Sequence, residues 1–101
     1  MNLDDLPQDL LLARGQYATI RSAHEDAKAR ISILCGDLGA TSAKILHAVQ
    51  PRNDEPIEAK AVADLVAVCR KAIVSIEECA KQIEALAVQR AALKPQAWPK
   101  R

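Results

Sequence analysis

The chain has 101 residues, a formal net charge of +1, and a half-hydrophobic composition with no Phe, one Trp and one Tyr. It is long enough for one small domain, and its charge gives no long-range field that would draw in a nucleic acid, a polyanion or a membrane surface. The apolar material is Ala, Leu, Ile and Val, so a core has to gain contact through close approach of backbones, and the accompanying Lys, Glu, Gln and Arg are strong helix formers.

The expected class is therefore all-α. Asp4, Asp5 and Asp9 at the start are the wrong charge for a signal peptide, and no apolar run approaches the ~20 residues of a membrane span, which points to a cytoplasmic product without membrane contact. Cys35, Cys69 and Cys79 are odd in number and lack metal-type spacing, as expected of small core residues in a reducing compartment.

The first arm opens at Asp4-Asp5-Leu6-Pro7, where an Asp can accept bonds from free backbone amides and proline is tolerated in the opening turn. From there an unbroken 3-4 spacing runs through Leu10, Ala13, Tyr17, Ile20, His24, Ala27, Ile31, Leu34, Leu38, Thr41, Ile45 and Ala48. That is the heptad spacing of a coiled-coil seam. Arg14, Arg21, Glu25, Asp26, Lys28, Arg30, Asp37 and Lys44 lie off the stripe. Gly36 and Gly39 each cost about 1 kcal/mol in a helix relative to Ala, yet Leu38 and Ile45 keep the register of Ile31 and Leu34, so the arm is read as continuous. A break near Gly36-Gly39 would give three helices instead of two.

Gln50-Pro51-Arg52-Asn53-Asp54-Glu55-Pro56 is rich in turn formers, with Asn53 or Asp54 as the N-cap of the second arm and Glu55 and Glu58 expected in its first turn. In that arm Val62, Val66, Cys69, Ile73, Ile76, Ala80, Ile83 and Ala87 form one 3-4 stripe, on which Ile73→Asp is expected to unfold the chain or split a dimer. A second row, Leu65, Val68, Ala72, Cys79, Leu86 and Leu93, lies beside it. Together they cover roughly half the helix circumference at ~100° per residue. Pro95 is expected to end the helix, leaving a tail in which Trp98 belongs to a docking peptide, to a frayed terminus, or to a cap on the bundle's own end.

The organisation read from this is a helical hairpin over 1–94, with a helix at about 5–50, a turn at 51–55, a helix at about 56–94, and a tail at 95–101. A two-helix hairpin covers only a narrow seam on each arm, so the broad apolar face of the second arm calls for a further partner. A second copy, forming a four-helix bundle about a twofold axis, is the simplest.

No catalytic, cofactor-binding or metal-binding set is expected. No Gly-rich phosphate loop is present, and no His-x3-His, Glu-x-x-His or Cys-x-x-Cys pair places two ligands on one face of a helix. Glu77-Glu78 reads as a solvated doublet. Arg90 falls near the middle of the apolar face, where it either snorkels at the helix end or pairs with a partner's carboxylate.

The functional expectation is a non-enzymatic homodimer that binds a larger protein or protein complex as adaptor, assembly factor or inhibitor. Leu65, Val68, Ala72, Cys79, Leu86, Arg90 and Trp98 are its partner-binding candidates. Small size and plain composition associate it with accessory proteins of phages and mobile elements, and no motif narrows that. The outline is similar to that of type III secretion needle subunits, but Pro51 and Pro56 are spaced too widely for the short Pro-x-x-Pro turn of that family. The alternative is nucleic-acid binding by Arg14, Arg21 and Lys28, seven residues apart on one face, although Glu25 sits among them.

Overall fold

The computed structural model describes residues 7–50 and 56–99. It is an all-helical hairpin of two long helices, α1 (Gln8–Val49) and α2 (Ala59–Ala97), with no strand among the described residues. The chain packs as two compact units. The first joins Met1–Ala29 to Lys81–Arg101, and the second is Arg30–Ala80.

α1 begins where Pro7 leaves its carbonyl to accept from the amides of Leu10 and Leu11, both at 3.1 Å. Proline suits this place because no helical partner is asked of its missing N–H. Asp9 lies in the first turn, where its negative charge offsets the positive end of the helix dipole. The capping expected of Asp4 and Asp5 falls outside the described residues. The helix is unbroken through Gly36 and Gly39, which settles the arm as one helix.

Every residue of the 3-4 stripe from Leu10 to Ala48 is buried or half-buried, with Ala13, Tyr17 and Ala27 the most enclosed. Apolar residues on one side of a helix are withdrawn from water only by a neighbour running alongside, and in each unit the neighbour is the matching stretch of α2.

α2 starts at Ala59, three residues later than the composition suggests, with Glu58 just outside it and its carbonyl accepting from Val62 N at 3.1 Å. The first turn therefore carries no acidic residue, contrary to the expectation for Glu58. Asn53, Asp54 and Glu55 lie outside the described residues.

Two further expectations for α2 are corrected. The inward row is not the stripe through Ile73 and Ala80, both of which are exposed. It is the one through Val62, Leu65, Cys69, Ala72, Ile76 and Cys79 in the second unit, and Ile83, Leu86, Arg90, Leu93 and Ala97 in the first. Both rows keep 3-4 spacing, and the inward one also takes in Arg90 and Ala97, whose partners fix the register.

Nor does Pro95 end the helix, which runs through it to Ala97. Proline this close to the C-terminus removes a single backbone bond, the one to the Ala91 carbonyl. The last turn is closed instead by Trp98 N donating to Lys94 O at 3.0 Å and Gln96 Nε2 to Ala92 O at 3.4 Å. Continuing the helix brings Ala97 to full burial against Ala13 and Tyr17, with Leu93 packed beside them.

Candidate interaction surface

The most elaborate set of contacts lies in the first unit and is built on Arg90. Its guanidinium donates from Nε to the Tyr17 hydroxyl at 3.3 Å, and from Nη1 to His24 Nδ1 at 3.1 Å and Glu25 Oε1 at 2.8 Å. The guanidinium carbon also sits 5.8 Å from the centre of the Tyr17 ring. A guanidinium has no acceptor, so His24 Nδ1 must present its lone pair, and a neutral ring then carries its proton on Nε2.

Lys28 reaches the same Glu25 oxygen from one turn on, at 3.2 Å. Hydrogen bonds from Arg90, and then from Lys28, hold the Glu25 carboxyl below its ordinary range. The bond from Arg90 likewise draws the Tyr17 phenol down, and Tyr17 with Glu25 holds the guanidinium more firmly charged. The carboxylate expected from a partner is thus supplied within the chain.

A second cluster closes the end of the first unit. Trp98 meets Tyr17 edge-to-face with ring centres 5.0 Å apart, and the Arg14 guanidinium lies 5.5 Å over the indole. Arg14 Nε donates to the Ala97 carbonyl at 3.0 Å, satisfying one of the acceptors a helix leaves open at its C-terminus. Trp98 thus packs against α1 of its own chain, although the ring is still 47 % exposed.

The residues expected to face a partner are placed differently from one another. Cys79 is buried; Leu65, Ala72, Leu86 and Arg90 are half-buried on the inward row; Val68 and Trp98 remain outward. Conversely, large apolar residues the pattern had put inside or passed over are exposed: Ile73, Val74 and Val88 on α2, and Leu11, Leu12, Ile33 and Leu46 on α1. Leu11 and Leu12 line a shallow groove of the first unit with Gly15 and Ile20. The spacing of charge does not single them out: Val88 lies on the same line of α2 as Arg70, eighteen residues and five turns away, and Leu12 on the same line of α1 as Arg30.

For the nucleic-acid alternative, Arg14 and Lys28 are both engaged inside the chain. Among the described residues no three His, Cys, Asp or Glu side chains gather as a metal site, and no helix is long and apolar enough to cross a membrane. Cys35, Cys69 and Cys79 carry thiols at exposed, half-buried and buried positions respectively. The chain matches no protein-family model, no curated protein sequence and no solved structure.

Proposed function

We propose that this protein is a non-enzymatic interaction module: a helical hairpin that self-associates and, as a dimer, occupies a surface of a larger protein partner as adaptor, assembly factor or inhibitor. The observation that carries this reading is how little the hairpin buries. Among the described residues the buried hydrophobic ones are three alanines, Tyr17 and Cys79, and no large side chain is fully enclosed.

Among the described residues Leu12, Ile33, Val68 and Val88 are each more than half open to water, and apolar side chains left outward in this number mark a molecule completed by association.

Affinity capture with the immobilised native chain, run beside the Val68→Asp variant, tests the reading. A stoichiometric protein recovered by the native chain and lost with the variant is the expected result. Identical recoveries from both would remove Val68 from the interface and, if no stoichiometric protein appears at all, the partner with it.

A further inference from the structure

In the first unit, Arg14, Arg21 and Lys28 each follow a seam residue of α1, namely Ala13, Ile20 and Ala27, so they line one edge of the seam at heptad spacing. Lys94 follows Leu93 on α2 in the same way. Seam edges are where opposite charges ordinarily pair between helices, yet here both helices present a cation. The Tyr17 phenol lies between them: the bond from Arg90 draws it down most, and the charges of Lys94 and Arg21 draw it down further.

The chain's own carboxylates do not answer these charges. Glu25 is taken up by Arg90 and Lys28, and among the described residues neither Arg21 nor Lys94 is paired with an acid. Asp9 lies five residues from Arg14, and Asp26 five from Arg21, which sets each roughly 140° round α1 from the basic line at ~100° per residue. Glu84 is ten residues before Lys94, about 15 Å along α2. Like charges left facing across a seam oppose the packing they flank, and a negative partner would relieve that.

An apolar anchor adjoins them. Trp98 is 47 % exposed and lines a shallow groove with Ala91, Pro95 and Lys94 itself. Arg14 lies over the indole and donates from Nε to the Ala97 carbonyl, while its Nη groups have no partner among the described residues. Free guanidinium N–H groups beside a half-open tryptophan suit a carboxylate with an apolar neighbour, and both residue types are those on which protein interfaces concentrate their binding energy.

We propose that this face docks an acidic segment of a protein partner, with its carboxylates between Arg14, Arg21 and Lys94 and an apolar side chain seated on Trp98 and Pro95. Charge complementarity selects an acidic occupant, and two features select a protein over a nucleic acid. Glu25 stands among the cations and would repel a phosphate backbone, and Arg14 already covers one face of the indole on which a base would stack. The inference rests on the partner binding proposed above and names the chemistry of that partner.

The test titrates the full chain with a pool of short peptides drawn from Asp, Glu, Leu and Gly, and reads the emission of Trp98, the single tryptophan. The acidic pool should shift that emission, and added salt should weaken the effect. Arg21→Gln and Lys94→Gln should each raise the apparent dissociation constant by roughly tenfold. Arg21→Gln should do so without lowering the thermal midpoint, because it relieves a like-charge contact, and that separates lost binding from lost folding.

A matching pool with Lys in place of Asp and Glu, if it binds as well, overturns the proposal, as does acidic-peptide binding that ignores both variants. A single-stranded oligothymidylate that binds more tightly than the acidic pool overturns it in favour of a nucleic acid. No response to any of the three at ~1 mM removes this face and leaves the reading above to stand or fall on Val68, which lies in the second unit.

Discussion

Arg90 of α2 and Glu25 of α1 are 65 positions apart in sequence and 2.8 Å apart in space, and this ion pair is the polar pin of the first unit. The same guanidinium bonds the Tyr17 hydroxyl and the His24 ring, so it occupies a seam position that would otherwise hold an aliphatic side chain. Arg90→Lys keeps the charge but not the planar fork that reaches three acceptors. Its thermal midpoint should fall below that of the native chain and lie above that of Arg90→Ala. A Lys variant as stable as the native chain would show that charge alone matters at this position.

The Glu25 carboxyl gives this pin a pH dependence of known sign. Its folded-state pKa is depressed, first by the bond from Arg90 and then by that from Lys28. Stability from the pairing is therefore fully present above the ordinary carboxylate value of about 4.3, and is lost as pH falls through the lower folded value. Glu25→Gln should melt below the native chain at pH 7, with the gap narrowing toward pH 3. Glu25 is half exposed, so added salt should shrink the gap as well. An equal deficit at both pH values would mean the residue acts through packing rather than charge.

Exchange of carboxylates into the two rows of α2 separates the inward one from its neighbour. Cys79 is 4 % exposed and Ile73 is 43 % exposed. Cys79→Asp places a charge inside the second unit, at a position shaped for a small thiol, and should destabilise by about 3 kcal/mol or more. Ile73→Asp should leave the helical content of the hairpin unchanged. If Ile73→Asp is the variant that unfolds, the row through Ile73 and Ala80 faces α1 after all.

Most of α1 was legible in its sequence, because one unbroken row from Leu10 to Ala48 holds no Lys, Arg, Asp or Glu, although Leu11, Leu12, Ile33 and Leu46 lie outside it. α2 was not, since three adjacent rows are apolar: one through Cys69 and Ile76, one through Ala72 and Cys79, one through Ile73 and Ala80. Any two neighbouring rows give a regular 3-4 spacing. Which pair turns inward is set by what α1 presents opposite, above all Tyr17 and Glu25 toward Arg90, and that is a long-range fact. Local rules also misplaced the end of α2, because the penalty of Pro95 is local and the burial of Ala97 beneath Tyr17 is not.

Gly15 lies in the first unit, beside Leu11 and Leu12. A Cβ there meets nothing within 4 Å, and the Thr19 hydroxyl bond to the Gly15 carbonyl, 3.1 Å, does not involve its side. Gly15→Ala should therefore stabilise the chain by about 1 kcal/mol, through helix propensity alone. In a chain of this size that raises the melting temperature by roughly 4–8 °C. A fall in the midpoint would reveal a neighbour pressed against that face.

Trp98 and Pro95 make opposing contributions at the end of α2, and their variants should move stability in opposite directions. Trp98→Ala removes the edge-to-face contact with Tyr17 and the face on which Arg14 lies, a loss of about 1–3 kcal/mol. Pro95→Ala restores an amide that can reach the Ala91 carbonyl, and should gain roughly 1 kcal/mol, less than the ~3 of a mid-helix proline because only the last turn is affected. Trp98 is the single tryptophan, so its emission reports the same contact. Tyr17→Leu should alter that emission in the native state and leave it unchanged in denaturant. If Trp98→Ala and Pro95→Ala both leave the denaturation midpoint where it was, the final turn does not hold the two helices together, and the helix beyond Pro95 contributes nothing to the hairpin.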